Sequence, residues 1–266
     1  MPGDRPATSV RPVTRWQGGE ASEVQDVVAA EAPLTIYLNG HELVTLLATP
    51  ENLDELAVGF LRTEGFVESR EDLRSLEVDP GRGVAEVTTS EHPDFTHRFY
   101  GRRVVSSGCA GPLSLAELAR LRPLDDAQSR ARVTVGRLLE LTAGLKHSPL
   151  FQLTGGTHCA LADLIAGESA PLLREDIGRH NAVDKIIGRL TLDGARPDQR
   201  LLATSGRISS DLVRKAVGVG IPIVVSRSAP TGLAVEMAGR LGLTLAGFAR
   251  GNRLNVYTGH DRLGGG

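Results

Sequence analysis

Cysteine is nearly absent from this chain: Cys109 and Cys159 are the only two in 266 residues. Two thiols cannot fill a four-thiolate metal site or hold an iron–sulfur cluster by themselves, and they are too few for a secreted disulfide scaffold. A reduced, cytoplasmic setting is expected. Aromatic residues make up only 4% of the chain and no basic stripe carries interleaved rings, which excludes a stacking groove for nucleic acid. No run approaches the roughly 20 apolar residues needed to span a bilayer. The N-terminus, with Pro2, Arg5, Pro6, Arg11, Pro12 and Arg15, lacks the apolar core of a signal peptide. Neither membrane nor export is indicated. Lysine is scarce too: of 30 basic residues only Lys146, Lys185 and Lys215 are lysines.

What is present describes a globular chain of one large domain or two modest ones, with 41% hydrophobic and 23% charged residues. Its net charge of −2 hides an asymmetry. Residues 1–79 hold 6 basic against 15 acidic side chains, 80–199 hold 15 against 14, and 200–266 hold 9 against 3. The three segments thus carry −9, +1 and +6. In the last of them the arginines cluster in loops, which points to an anionic ligand.

Residues 1–20, with three prolines and three glycines, read as a mobile tail. Residues 21–104 read as a small, mainly antiparallel β region, with strand-like runs at 34–38, 42–48, 84–89 and 95–100. Asn39-Gly40 signals a hairpin between the first two, and one helix is expected near 53–62. Residues 105–130 form a cysteine loop and linker, and 131–266 an α/β domain. Thr134 is placed to cap a helix in which Leu138, Leu141 and Leu145 recur at helical spacing. Glu175-Asp-Ile-Gly-Arg-His-Asn-Ala-Val-Asp-Lys185 opens a further helix, with Ala182, Val183, Ile186, Ile187 and Leu190 on an apolar side. His180, Asn181, Asp184 and Lys185 share its polar side, which either lines a crevice or faces solvent.

From Leu201 strands and helices alternate: strand 201–204, helix 209–219, strand 221–226, helix 231–241 and strand 243–248. Such βαβαβ units build a parallel sheet with right-handed crossovers, and ligands bind beyond the carboxyl ends of its strands. The loops Ser205-Gly-Arg207, Arg227-Ser-Ala-Pro230 and Ala249-Arg-Gly-Asn-Arg253 must all leave at that edge. Arg207, Arg227, Arg250 and Arg253, beside two helix N-termini and small residues such as Ser228, suit a phosphate-bearing ligand.

Cys109 lies in Val104-Val-Ser-Ser-Gly-Cys-Ala-Gly-Pro112, ahead of a helix whose Ser114 and Glu117 make a capping box. A helix N-terminus and the nearby Arg102 and Arg103 favour an accessible thiolate there. Cys159, at the edge of an apolar run, reads as a buried small hydrophobe, and its neighbour His158 as either a core histidine or a proton-transfer group.

Long motifs then carry a resemblance. Thr154-Gly-Gly-Thr-His158, the Glu175 to Lys185 segment, Thr204-Ser-Gly-Arg-Ile-Ser209, Gly220-Ile-Pro, the segment from Ser226 to Thr231, Gly247-Phe-Ala-Arg250 and Asn255-Val-Tyr257 together resemble the FdhD family. These are the sulfurtransferase accessory proteins of formate dehydrogenase. The resemblance implies a cytoplasmic α/β protein with a cytidine-deaminase-like C-terminal domain, working as a homodimer. It implies that sulfur is accepted from a cysteine desulfurase as a protein persulfide. The sulfur then passes to molybdenum held by bis(molybdopterin guanine dinucleotide), the client cofactor, and formate dehydrogenase receives the product. By motif, Cys109 is the persulfide carrier, and Phe248, Ala249, Arg250, Gly251, Asn252 and Arg253 face the cofactor, joined by Arg207, Ser228, His180 and Asn181. No resident metal site is expected.

The chain departs from the family's Cys-Gly-x-Cys-Gly loop. Cys109 taken as its first cysteine puts Pro112 at the second, and taken as its second puts Ser106 at the first. Dithiol chemistry within the loop is thereby excluded, whereas a persulfide relay needs one sulfur only. A zinc nucleoside deaminase is set aside: there is no Pro-Cys-x-x-Cys, and Ala160 stands where the proton-shuttling Glu would. A Cys–His hydrolase pairing Cys109 with His158 or His180 has no specific support. The remaining alternative is a chaperone that holds the molybdenum cofactor without carrying sulfur.

Overall fold

The computed structural model describes residues 6–90, 104–105, 121–125, 130–167 and 170–264. Cys109 and the strand expected at 95–100 lie outside them.

The chain opens with a correction. Residues 1–20 were read as a tail, yet β1 (Thr8–Gln17) and β2 (Glu20–Ala29) form a ten-pair antiparallel hairpin. Gly18 and Gly19, counted as tail glycines, sit at φ of 64° and 89°, the left-handed pair that a tight hairpin turn needs. Pro12 is tolerated because β1 is an edge strand.

β3 (Ala32–Leu38) and β4 (His41–Ala48) follow, joined at Asn39-Gly40 as expected. With β5 (Leu73–Asp79), β6 (Val84–Thr89) and β7 (Val104–Val105) they make a sheet ordered β5-β6-β3-β4-β7. The region is mainly antiparallel, as expected, and the parallel pairings of β3 with β6 and of β4 with β7 make this sheet mixed. Alternation along β3 sends Leu34, Ile36 and Leu38 inward, against Leu56, Ala57, Phe60 and Leu61 of α1 (Leu53–Thr63).

The larger unit begins with β8 (Val133–Thr134) and α2 (Val135–Gly144), whose first turn is capped by Thr134 Oγ1 accepting from Arg137 N. α3 (Pro149–Thr154), β9 (His158–Leu164), β10 (Leu172–Asp176) and α4 (Arg179–Leu192) come next. The end alternates β11 (Arg200–Thr204), α5 (Ser210–Val219), β12 (Ile223–Ser226), α6 (Gly232–Leu241), β13 (Thr244–Arg250) and β14 (Arg253–Thr258), before β15 (Leu263–Gly264) pairs with β8. Six strands order as β10-β9-β11-β12-β13-β14. β11, β12 and β13 are parallel as expected, and β9, β10 and β14 add antiparallel pairings that the strand–helix alternation did not reveal. The α/β class holds. One sheet face packs Ala160, Ala162, Leu202, Val224 and Leu245 under α4, α5 and α6. The other packs Cys159, Leu161, Leu201, Val225 and Ala246 under Leu138, Leu141 and Leu145 of α2 and its C-terminal turn.

α4 corrects the sequence reading twice. It starts at Arg179, because Glu175 and Asp176 finish β10. It also has no solvated side: His180, Asn181, Asp184 and Lys185 are all buried. The cause is α1, which lies across α4 and joins the two sheets into one body. Polar groups in that seam are matched to each other. Lys215 Nζ binds both Asp184 oxygens at 2.7 Å, and Thr63 Oγ1 donates to Asp184 Oδ1. Arg214 bridges Glu64 and Asp211, and Arg174 pairs with Glu55. Buried charges persist only when paired and hydrogen-bonded, as these are.

His180 lies at the end of this network. Its Nε2 is 3.2 Å from Ser209 Oγ and 3.7 Å from Asp211 Oδ2. Burial holds its pKa at about 4, outweighing the raising effect of Asp211. The unfolded chain, with an ordinary imidazole pKa near ~6.5, takes up this proton first. The His180 contribution to stability is therefore expected to be complete above about pH 6.5 and to be lost as pH falls toward 4. Urea unfolding of wild type and His180→Asn between neutral pH and the acid range isolates that slope. A variant that loses stability on acidification as steeply as wild type would contradict the assignment.

Candidate functional site

Parallel pairing of β11, β12 and β13 brings their carboxyl ends to one edge, and β9 begins and β10 ends there, with Asp176 opposite His158. The loops carrying Thr154 to His158, Glu175 to Gly178, Ser205 to Ile208, Arg227 to Thr231 and Gly251-Asn252 consequently converge. Hydrogen bonds join them. Ser226 Oγ lies 2.6 Å from Gly206 O and accepts from Ser228 N at 2.9 Å. Arg227 N donates to Thr204 O, Ile208 N to Ala229 O, Thr231 N to Ile208 O and Phe248 N to Ser228 O. Two helices present their first turns at this edge, α5 capped by Ser209 and α6 by Thr231.

Phe248 marks a break in β13. It sits at φ 52° within a register shift between Gly247 and Arg250, and the residue is 39% exposed. A non-glycine residue in that conformation costs about 1–3 kcal/mol, which surrounding structure must hold in place. The β13–β14 turn that follows presents Arg250, Gly251, Asn252 and Arg253 to solvent.

Ion pairing separates these arginines from several of the others. Arg137, Arg174, Arg189, Arg196 and Arg214 are all ion-paired. Among the described residues, the side chains of Arg207, Arg227, Arg250 and Arg253 have no carboxylate partner, and the one hydrogen bond these side chains make is Arg250 Nε to Arg227 O at 3.0 Å. A cavity of about 320 Å³ opens beside them. Arg227, Ala249, Arg250 and Gly251 form its loop side, and Leu139, Thr142, Ala143 and Lys146 its α2 side.

The structure thus brings Arg207, Ser228 and Phe248 through Arg253 to one edge, with Ala249, Arg250 and Gly251 in the cavity itself. His180 and Asn181 do not join them as surface groups. Asn181 Nδ2 donates to Leu47 O and Asp176 Oδ1, and His180 is committed to Ser209, so both side chains brace the edge from beneath. Sequence reasoning missed Lys146 and the α2 wall. The available signal was the stripe Leu139, Ala143, Lys146, which runs beside the buried Leu138, Leu141, Leu145 stripe at the same spacing.

Cys159 is buried, as expected. Burial pushes its thiol pKa up, and Sγ lies 3.5 Å from Leu145 O, which favours the protonated thiol. His158 is half-buried with Nδ1 3.4 Å from Ser205 Oγ, and burial, with Arg179 adding to it, lowers its pKa. No cluster of three His, Cys, Asp or Glu side chains is placed to hold a metal among the described residues, and no described helix is long and apolar enough to cross a membrane.

Fold and site together define an α/β protein whose sheet edge offers unpaired guanidinium groups and helix N-termini to an anion. The comparisons narrow that class. Residues 29–264 match the model of the FdhD/NarQ family, and the chain belongs to that family. It is 39% identical over 262 residues to the sulfur carrier protein FdhD of Listeria innocua, covering 94% of this chain and 97% of that protein. It is 38% identical to the protein of the same name from Bacillus subtilis, covering 96% and 97%. The crystal structure of a protein taken to be a formate dehydrogenase accessory protein, from Desulfotalea psychrophila, superposes with a TM-score of 0.80 at 27% identity, covering 97% of this chain and all of that one.

Proposed function

We propose that this protein is a cytoplasmic sulfur carrier for formate dehydrogenase, working as a homodimer. Cys109 receives sulfur as a persulfide from a cysteine desulfurase and delivers it to molybdenum in a bis(molybdopterin guanine dinucleotide) cofactor. The observation that carries this reading is the set of unpaired arginines on one sheet edge, a cradle suited to a ligand rich in diphosphate. Family membership and the names of the relatives support the sulfur-carrying half.

The chemistry needs one thiolate. Cys109 sulfur attacks the terminal sulfur of the desulfurase persulfide, the S–S bond there breaks, and the desulfurase leaves as thiolate. The sulfur passed onward is at oxidation state zero. Its release as sulfide regenerates the Cys109 thiol and takes two electrons, which a molybdenum(IV) centre supplies on becoming molybdenum(VI). The protein's own residues bind and orient the cofactor, through Arg207, Arg250 and the backbone N–H groups of the stitched loops.

Incubation with a desulfurase and cysteine, followed by intact-mass measurement, is expected to show one added sulfur on wild type and none on Cys109→Ser. Absence of the adduct on wild type would leave the chaperone reading. Arg250→Ala and Arg207→Ala are each expected to weaken binding of guanosine diphosphate by about 1.5–3 kcal/mol in titration calorimetry, the loss typical of a charge-assisted hydrogen bond. Unchanged affinity in both would place the ligand on another edge.

A further inference from the structure

A larger cavity is lined by neither α2 nor the arginine loops. It is an open groove of about 730 Å³ between three stretches of chain: Pro6 and Ala7 ahead of β1, Pro50 to Asp54 leading into α1, and Val78 with Pro80 at the end of β5. Hydrogen bonds tie one of these stretches to the candidate site. Pro50 follows Thr49, whose N–H donates to Asp176 Oδ2 and whose Oγ1 accepts from Ile177 N, and Asp176 stands opposite His158. A protein seated in the groove is thereby held beside that edge.

The chemistry of the lining is one-sided. Pro6, Pro50 and Pro80 have no N–H, and Glu51 N is already committed to Thr49 O at 2.8 Å. Glu51 and Asp54 are exposed, neither forms an ion pair among the described residues, and no basic side chain shares the lining. Asn52, in the left-handed region at φ 52°, makes no side-chain bond to the first turn of α1, which leaves its amide open to a ligand. Two carboxylates without a cation repel each other, and a rim of acceptors calls for a ligand that brings N–H groups and positive charge. An amide that both donates and accepts suits a peptide bond. The prolines stiffen the walls, which lowers the entropic cost of binding. Residues 1–79 as a whole carry −9, which steers a cationic partner toward this region.

We propose that this groove docks an extended, arginine- or lysine-bearing segment of a protein partner: Glu51 and Asp54 hold its cationic side chains, and Asn52 holds its main chain. The docking chemistry stands on the groove alone. Only the partner's task, exchanging sulfur with this protein, rests on the function proposed above.

Fluorescence anisotropy on the full chain tests it, with a labelled pentapeptide Ala-Arg-Ala-Arg-Ala as probe and Ala-Glu-Ala-Glu-Ala as counter-probe. Wild type is expected to bind the arginine probe roughly tenfold or more tightly than the glutamate probe. Glu51→Gln with Asp54→Asn keeps the shapes, removes both charges and is expected to weaken the arginine probe about tenfold. Ala7→Phe, which narrows the apolar side without altering charge, is expected to weaken it about threefold or more. Glu23→Gln with Glu77→Gln removes the same charge from exposed positions outside the groove and is expected to stay within about twofold of wild type. Circular dichroism checks that every variant is folded. Equal binding by wild type and the Glu51 and Asp54 double variant overturns the proposal, as does an equal loss in the Glu23 and Glu77 double variant. A probe that binds only once residues 1–5 are deleted overturns it too, because the groove then belongs to the chain's own amino terminus, which carries Arg5. Loading of Cys109, read by intact mass, is a separate outcome: a wild type that takes up no sulfur yet keeps its preference for the arginine probe removes the sulfur-carrier reading and supports the groove.

Discussion

Gly188→Ala is expected to destabilise this protein by at least about 3 kcal/mol, the upper range for forcing extra volume into a packed core. An alanine Cβ at Gly188 would stand 1.8 Å from the backbone oxygen of Glu55 and 2.6 Å from its carbon. The reciprocal substitution, Gly59→Ala, would place a Cβ 1.8 Å from the backbone oxygen of Asp184. Backbone meets backbone where α1 crosses α4, so no flexible side chain can give way. Relief requires the helices to separate, and that motion would pull apart the ion pairs beside the crossing. The control has the opposite sign. Gly218 is exposed near the end of α5 with nothing within 4 Å of its would-be Cβ, and Gly218→Ala is expected to stabilise by about 0.5–1 kcal/mol through helix propensity alone. Urea unfolding followed by circular dichroism reads both. A Gly188→Ala midpoint equal to wild type would mean that the two helices do not cross as described.

The second large effect is expected at Lys185. Its ammonium is wholly buried, 2.7 Å from Asp176 Oδ2, and donates to Thr49 O and Glu175 O. Asp176 in turn accepts from Thr49 N at 3.1 Å, Gly178 N at 2.8 Å and Asn181 Nδ2 at 2.9 Å. Lys185→Met fills similar volume but strands a buried carboxylate, a loss of about 3–5 kcal/mol for one partner of such a pair. Melting temperature should fall by roughly 10 °C for a chain of this size. Adding Asp176→Asn to Lys185→Met removes the stranded charge, and the double variant is expected to recover part of the loss. If it melts no higher than Lys185→Met, unpaired charge is not the cause. The consequence reaches the site, because Asp176 ends β10 directly opposite His158.

That pair also shows where sequence reasoning succeeds and where it stops. The strands and helices from Leu201 onward were legible because caps, glycine stops and apolar runs are local signals, and each agrees with its neighbours. The arginine loops were legible for the same reason: once β11, β12 and β13 are parallel, connectivity alone puts their carboxyl ends together. Cys159 was legible from its apolar surroundings. The polar side of α4 was not. Periodicity separates His180, Asn181, Asp184 and Lys185 from the apolar positions, but it cannot say whether water or another helix covers them. The hairpin of β1 and β2 escaped because its prolines and glycines suit a tail as well as an edge strand and a tight turn. The place of Lys146 beside Arg227 and Arg250 escaped because it depends on what lies across a cavity.

The sequence by itself determined the α/β class, the strand–helix alternation of the C-terminal unit, the family and the loops that bear the arginines. Tertiary structure alone decided that α4 lies between two units, that its charges are neutralised in pairs, and that α2 closes a cavity beside Arg227 and Arg250. The physical reason is range. Caps, turns and hydrophobic periods act over a few residues, whereas burial of a charge depends on a partner more than a hundred residues away, as Asp176 and Thr49 show.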